Sequence, residues 1–298
     1  MSTQHSKTSN EPNLRQVRPM SSARKHAHWS LTSEPPLARR VVVATGSAFL
    51  VIFLVLPLIA IFSTALGSGL SAFVDAFSDS DALSAIRLTI VVSLISVPLN
   101  TVFGIAVAWL ITRFDFSGKT LLKTVIDLPF SVSPVVAGLL FMLLFGAQGP
   151  LWPWLRQHHI EIVFALPGLV LATTFVTFSF VARELIPLME AQGSDEEEAA
   201  LVLGATAWQM FWRVTLPRVG WGLIYGVVIT NARAMGEFGA VSVVSGHVPG
   251  LTNTLPLYVQ VMYDGYNFAG AFAAASLLAL IAMGTLAVKV ILERRLPH

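Results

Sequence analysis

Arg233 and Glu237 lie within or beside an apolar stretch of the chain and are the first candidates for chemistry. At a helical rise of about 1.5 Å per residue, Arg233 lies about 18 Å from Trp221, near the middle of a bilayer. An arginine at that depth costs roughly 2.5–3.5 kcal/mol on insertion scales, so it must face protein or water and have a partner. Glu237, four residues on, shares its helical face and can be that partner. The pair, with Asn231 nearby, either lines a path for an anion or neutralises itself and braces the helix end.

The composition excludes an ordinary soluble protein. Of the 298 residues, 54% are hydrophobic and 12% are charged, and the mean hydropathy is +0.70. A soluble domain carries about twice that charged share, so a bilayer is the natural solvent for this chain. The net charge of +2 does not indicate nucleic acid, because the basic residues stand at the ends of the apolar runs. Cysteine is absent, and the histidines lack metal-site spacing, so we predict no metal or cofactor in this chain.

Six apolar runs predict an all-α membrane protein with six transmembrane helices. Each run is near the roughly 20 residues that cross about 30 Å of hydrocarbon. Residues 1–40 are polar and without periodicity, and we predict that they form a disordered basic tail before a transmembrane domain at 41–298. The predicted spans are residues 41–66, 86–111, 121–145, 162–181, 220–235 and 268–291.

Lysine and arginine in the flanks of the spans predict the orientation. One side of the membrane receives the tail, the flanks after spans two and four, and the C-terminal end, and only Arg87 and Arg156 clearly lie on the other side. Positive charge marks the cytoplasmic side, so both termini and the 186–217 loop are predicted to be cytoplasmic. The residues counted for that side include Arg39, Arg40, Arg113, Lys119, Lys123, Arg183, Arg213, Arg218 and Lys289.

The 186–217 loop is too long for a simple connection and contains two helix starts. Ser194 with Glu197 predicts a capping box, and the acidic residues after Ser194 suit a helix N-terminus. Gly204 can end that helix in a left-handed turn. Thr206 with Gln209 predicts a second capping box, for a helix that Leu216-Pro217 should end. The expected apolar face consists of Ala199, Ala200, Leu203, Met210 and Phe211.

Two uses of this helical hairpin remain open on physical grounds. It either rests on lipid headgroups as an amphipathic element or docks into a groove of a soluble partner.

The segment Gly118-Lys119-Thr120 resembles the end of a phosphate-binding loop, but Arg113 occupies the position of the required first glycine. We therefore expect no ATP site in this chain.

The loop resembles the EAA motif of binding-protein-dependent ABC importer permeases. The matching positions are Glu198, Ala199, Ala200, Gly204, Leu216 and Pro217, with Val214 where the family prefers isoleucine. Two further segments, from Asp127 to Leu139 and from Asn231 to Gly246, resemble sulfate and molybdate permeases. Taken with the segment from Trp208 to Phe211, they make the chain similar to the CysW-type permeases of sulfate and thiosulfate importers. The resemblance covers about residues 41–291.

The resemblance implies a type I ABC importer permease fold, with coupling helices at 194–217 that pass motion from a separate ATPase dimer to the spans. ATP and Mg would be bound by that ATPase, and this chain would be no enzyme. The other implied partners are a second permease (a CysT-type homologue or a second copy) and a periplasmic sulfate/thiosulfate-binding protein. The chain would lie in the inner membrane.

Three alternatives carry different functions. A permease for molybdate or tungstate would transport dianions of the same tetrahedral shape. A secondary transporter driven by an ion gradient would show internal repeats and buried carboxylates, which the sequence lacks, and it leaves the 194–217 loop unexplained. A membrane-embedded enzyme would need a cluster of catalytic residues that sequence spacing does not indicate.

Overall fold

The computed structural model describes residues 36–67, 69, 73–74 and 78–293, and these residues form helices without any strand. Two five-residue π-helical turns, Val51–Val55 and Phe211–Thr215, interrupt the α-helices. The α-helices are α1 Pro36–Leu50, α2 Leu56–Gly67, α3 Ser80–Arg113, α4 Lys119–Ser131, α5 Pro134–Phe145, α6 Trp152–Gln157, α7 Leu166–Thr177, α8 Ser179–Gln192, α9 Asp195–Val202, α10 Ala207–Met210, α11 Leu216–Arg218, α12 Gly220–Met235, α13 Gly239–Ser245, α14 Leu255–Asp264 and α15 Phe268–Glu293.

Within the part of the chain that the structure describes, four helical segments are long and apolar enough to cross a membrane, and two bent pairs bring the number to six if each pair is one span. The all-helical membrane architecture is confirmed, whereas the count of six spans stays a prediction. The predicted disordered tail overlaps α1, which begins at Pro36. The rest of that tail lies outside the described residues. The four unbroken segments are Leu37–Gly67, Ser80–Arg113, Leu166–Gln192 and Phe268–Ile291.

The predicted third span is not one straight helix. It consists of α4 and α5, which meet at an angle of 104°. Val132 and Ser133 have non-helical angles, with ψ near 134° and 133°. Ser133 has them because Pro134 follows, and the residue before a proline avoids helical angles. The predicted fifth span, residues 220–235, coincides with α12, and α13 follows it after a bend of 48°.

The predicted fourth span also ends later than expected. The helical segment runs on to Gln192, so Arg183 and Pro187 belong to it and the connecting loop is shorter than predicted. Proline is tolerated inside a membrane helix where neighbouring groups satisfy the freed carbonyl.

Helix α3 is the centre of the packing. It contacts α7, α8, α12 and α14, while its opposite side shows exposed apolar residues such as Leu94 and Val102. Small polar residues lie in its buried interfaces, where Ser96 donates to the Val170 carbonyl and Asn100 donates to Thr177. Such short polar side chains allow helices to approach closely in lipid and join them by hydrogen bonds.

Candidate functional site

The connection between α8 and α12 folds as two short helices around a glycine turn. Helix α9 follows Gly193 and carries four acidic residues in its first turn, Asp195 to Glu198. The predicted capping box at its start is wrong. The Ser194 side chain makes no bond to the helix backbone, and its hydroxyl donates instead to Oε1 of Glu198, at 2.6 Å.

Glu197 turns inward because two donors hold its carboxylate. Its Oε2 forms an ion pair with Nε of Arg113 at 2.5 Å, and its Oε1 accepts from the Thr215 hydroxyl at 2.8 Å. The two charged side chains are only 11% and 5% exposed. A buried carboxylate paired in this way cannot also cap its own helix, which explains the failure of the predicted box.

The glycine turn after α9 is a Schellman motif. Gly204 has a φ of 88°, and it sits just beyond Leu203, which the helix uses as its C-cap. The Ala205 amide donates to the Ala200 carbonyl and the Gly204 amide donates to the Leu201 carbonyl, each at 3.0 Å. The left-handed conformation is accessible to glycine and strained for residues with a Cβ. The predicted left-handed end of the helix at Gly204 is confirmed.

The second helix starts as predicted and ends later. Thr206 and Gln209 form the full capping box, each bonding to the backbone of the other. The helix then widens into the π turn and continues as α11, so the prediction that Leu216-Pro217 ends it is wrong. The Leu216 amide reaches back to the Phe211 carbonyl, and this wider turn admits Pro217, which has no N–H to donate.

The apolar surface of the hairpin differs from the predicted one. Met210 is buried and Phe211 is partly covered, whereas Ala199 and Leu203 are exposed and Ala200 is half-buried. Val202 and Leu203 are each 88% exposed, and further along the hairpin Trp208 is 69% and Trp212 is 49% exposed. Exposed apolar residues of this size on one short segment mark a surface for a partner protein or for the membrane. Val202 and the two tryptophans do not belong to the apolar face that was predicted from the sequence.

Arg218 fixes the far end of the hairpin to α8. Its Nη2 donates to the Gln192 backbone carbonyl at 2.7 Å, and the side-chain amide of Gln192 donates in return to the Arg218 backbone carbonyl at 3.2 Å. Nε of Arg218 also lies 3.5 Å from Oε2 of Glu196. Charged and amide groups thus tie both ends of the hairpin to the helices that frame it.

The second group of predicted residues lies at the bend between α12 and α13. Nη1 of Arg233 is 2.6 Å from Oε2 of Glu237, and their side chains are 34% and 1% exposed. Oε1 of Glu237 accepts from the Ala240 amide at 2.9 Å, so this carboxylate also caps the start of α13. The predicted pairing is present, and the Arg233 side chain stays partly exposed.

Asn231 does not join that pair. Its side chain lines a groove between α12 and α15 with Ile281 and Thr285, and its amide approaches the Met235 sulfur at 3.7 Å. Among the described residues, no group of three histidine, aspartate or glutamate side chains is placed to hold a metal ion.

The end of α3 away from Arg113 is tied to α14. Asp79 precedes α3, and its Oδ2 accepts from the Tyr258 hydroxyl at 3.1 Å. Burial and the nearby Asp79 carboxylate raise the pKa of Tyr258 to about 12. Tyr258 therefore stays neutral and keeps donating at physiological pH.

The chain belongs to the family of binding-protein-dependent transport system inner membrane components, whose sequence model matches residues 100–298. The fold agrees with this. A crystal structure of a bacterial ABC transporter involved in the import of the acidic polysaccharide alginate superposes with a TM-score of 0.73 at 21% identity, covering 88% of this chain and 96% of that one. The chain therefore has the fold of an ABC importer permease.

Within that family, the chain is similar to sulfate permeases along most of its length. It is 52% identical over 258 residues to the sulfate transport system permease protein CysW of Synechocystis sp., covering 87% of this chain and 94% of the relative. Escherichia coli CysW is 52% identical over 257 residues, covering 86% and 88%. Escherichia coli CysT is 33% identical over 250 residues, covering 82% and 90%.

Proposed function

We propose that this chain is a membrane permease subunit of an ATP-driven importer, and that it translocates sulfate or thiosulfate across the inner membrane. The observation that carries the proposal is the likeness to CysW, which runs through the hairpin and the α12–α13 bend alike. The chemistry of the described residues suits transport rather than catalysis, since the charged side chains pair with one another instead of converging on a reacting centre.

The proposed orientation has both termini and the α9–α10 hairpin in the cytoplasm. Basic residues support it, since Arg113, Lys119, Lys123, Arg213 and Arg218 all lie on or beside the segments that frame the hairpin. Lysine and arginine in short flanks mark the cytoplasmic side of membrane proteins.

The proposed use of the hairpin is docking to a separate ATPase dimer, which would bind ATP and Mg. Glu198, Ala199, Ala200, Gly204, Leu216 and Pro217 are the predicted coupling residues, and the exposed Val202, Leu203, Trp208 and Trp212 add the apolar area that a groove on a partner would bury. The Schellman turn supports this use, because it fixes the angle at which α9 and α10 present that area.

We propose that an external binding protein delivers sulfate to this subunit, and that sulfate then passes between this subunit and a second permease. That second permease is a CysT-type homologue or another copy of this chain. Arg233 is the main pathway residue we propose, with Glu237 as its partner and Asn231 two residues before it on α12. The partial exposure of Arg233 supports transient attraction of a dianion, and its pairing with Glu237 keeps that attraction weak enough for release.

The experiment that tests the proposal is uptake of radiolabelled sulfate by cells that lack this chain, with and without its return. Sulfate uptake should be restored by the returned gene, suppressed by excess thiosulfate and barely affected by excess molybdate. The Glu198→Ala and Gly204→Asp variants should stay in the membrane and fail to restore uptake, since they damage docking and the turn rather than the spans.

Two outcomes would contradict the proposal. Sulfate uptake that never depended on this chain would show that sulfate is not its substrate. Competition by molybdate alone would indicate that the substrate is molybdate or tungstate. Uptake that survives depletion of ATP while the ion gradient is held would indicate a secondary transporter instead.

A further inference from the structure

Arg113 joins three segments at one end of α3. Its Nη2 donates to the Gly193 carbonyl at 2.9 Å and its Nη1 to the Met189 carbonyl at 3.3 Å, while Nε pairs with Glu197. The Met189 carbonyl belongs to the last turn of α8, where helical partners run out, and a cation is favoured there. One planar guanidinium thereby connects α3, the end of α8 and the start of α9.

Glu197 is the only buried residue of the eight in α9. The helix therefore lacks the apolar face that normally holds a short helix against its protein. Most of its other side chains are exposed, and Val202 and the adjacent Leu203 are each 88% exposed. What attaches α9 is chiefly the buried Glu197 carboxylate, through Arg113 on one oxygen and Thr215 on the other. The other ion pair of the helix, between Glu196 and Arg218, is longer and its carboxylate is 63% exposed, so it contributes less.

The backbone on both sides of α9 turns at glycine. Gly193 has a φ of 68° and Gly204 a φ of 88°, and neither has another atom close to where a Cβ would be. Glycine imposes few backbone restrictions, so the Gly193 turn supplies little stiffness of its own. The two hydrogen bonds of the Schellman turn at Gly204 join α9 to α10 instead. A load applied to the exposed surface of the hairpin would therefore turn it about Gly193 unless Glu197 holds it.

We propose that Arg113 and Glu197 are positioning residues that make the exposed surface of the hairpin move as one body with α3. The inference rests on the proposed function, because it concerns how movement of the ATPase reaches the spans. Helix α3 carries that movement further through its contacts with α12, where Ala108 and Ile105 pack with Val219 and Leu223. Helix α12 leads to Arg233 and the bend.

The ion pair suits this task better than the exposed pairs of the same region. Lys123 and Glu190 are 43% and 51% exposed, and solvent-exposed pairs of this kind contribute little. A buried pair gives a defined geometry, and loss of one partner leaves an uncompensated charge. Arginine also offers a rigid fork of donors, which a lysine at position 113 would not reproduce.

The test is the number of sulfate ions imported per ATP hydrolysed, measured on the whole complex reconstituted in liposomes. In Glu197→Gln and in Arg113→Met, ATP hydrolysis should persist while the ratio falls by about tenfold or more, within the usual range of coupling between sites. Arg113→Lys should recover part of the ratio. Lys123→Gln, which breaks the exposed pair, is the matched control and should leave the ratio unchanged.

A distance measurement tests the same proposal independently of transport. The chain has no cysteine, so a spin label can be placed on the exposed Asp195 of α9 and another on the exposed Leu99 of α3. The distance distribution should be narrow and equal in all nucleotide states with the natural pair, and broad in Glu197→Gln. Thr215→Val offers a milder variant if Glu197→Gln inserts poorly.

The outcomes separate the two proposals. If the unaltered complex imports no sulfate, the proposed function fails, and the label distances still decide whether the pair holds α9. If the unaltered complex imports sulfate and Glu197→Gln keeps both the natural ratio and the narrow distribution, the positioning role is overturned.

Discussion

Two arginine–glutamate pairs with a buried carboxylate lie in the described part of the chain, and they are built differently. Arg113 and Glu197 come from separate helices, and both side chains are covered, at 11% and 5% exposure. Arg233 and Glu237 are four residues apart at a helix bend, and there the arginine is 34% exposed while the glutamate is 1% exposed. The first pair is closed to solvent, whereas the second keeps its cation partly open.

This difference matches the two roles that we propose for the pairs, a mechanical one for Arg113–Glu197 and an electrostatic one for Arg233–Glu237. In the closed pair the partners of the Arg113 guanidinium are all protein atoms, so we expect this pair not to bind a transported anion. In the open pair the glutamate is bound to Arg233 and to the Ala240 amide, while about a third of the arginine side chain stays exposed. An anion path requires the second arrangement, because a fully enclosed cation could not exchange its partner quickly.

The largest expected effect follows from breaking the closed pair. Arg113→Met should lower the stability of the chain by about 3–5 kcal/mol, because it leaves the Glu197 carboxylate buried without a counter-charge. The measurement is the shift of the unfolding midpoint of the purified complex in detergent, relative to the unaltered protein.

The double variant Arg113→Met with Glu197→Gln provides the control for that prediction. It should lose less stability than the sum of the two single variants, because no lone charge remains buried. A midpoint for Arg113→Met close to that of the unaltered protein would show that the pair is not closed in solution.

Breaking the open pair should reduce sulfate transport more than it reduces the stability of the chain. Arg233→Gln should cost about 1–2 kcal/mol of stability, since Glu237 keeps the Ala240 amide and the start of α13 favours a negative charge. Sulfate uptake should fall on the order of tenfold, the equivalent of one lost charge-assisted contact. The two quantities are measured on the same membranes, by uptake and by the unfolding midpoint.

The Glu237→Gln variant provides a second test of the open pair. The glutamine can still accept from the Ala240 amide but no longer neutralises Arg233, so sulfate should be held more tightly and released more slowly. Normal uptake in Arg233→Gln would leave the pair with a bracing role alone.

Much of this arrangement was predictable from sequence periodicity. The apolar runs predicted a helical membrane protein, and spacing at four residues predicted the Arg233–Glu237 pair, because both signals are local. The Thr206–Gln209 box and the Gly204 turn were predictable for the same reason: capping depends on residues three or four apart.

The closed pair was not predictable, because it depends on contacts between distant segments. Four consecutive acids open α9, and nothing local distinguishes Glu197 from its neighbours as the one that turns inward. The burial of Glu197 follows from the position of Arg113 at the end of another helix. The 104° bend has a local cause in Pro134, but its size depends on what α5 packs against, chiefly α13.

The smallest expected effect concerns the third member of the closed pair. Thr215→Val removes the hydroxyl that donates to Oε1 of Glu197 and keeps the shape of the side chain. Because Arg113 still neutralises the carboxylate, the loss should be about 1 kcal/mol, the net value of one hydrogen bond. Thr215→Ser, which retains the hydroxyl, should restore most of that stability. If valine and serine prove equally stable, the hydroxyl contributes nothing, and the closed pair depends on Arg113 alone.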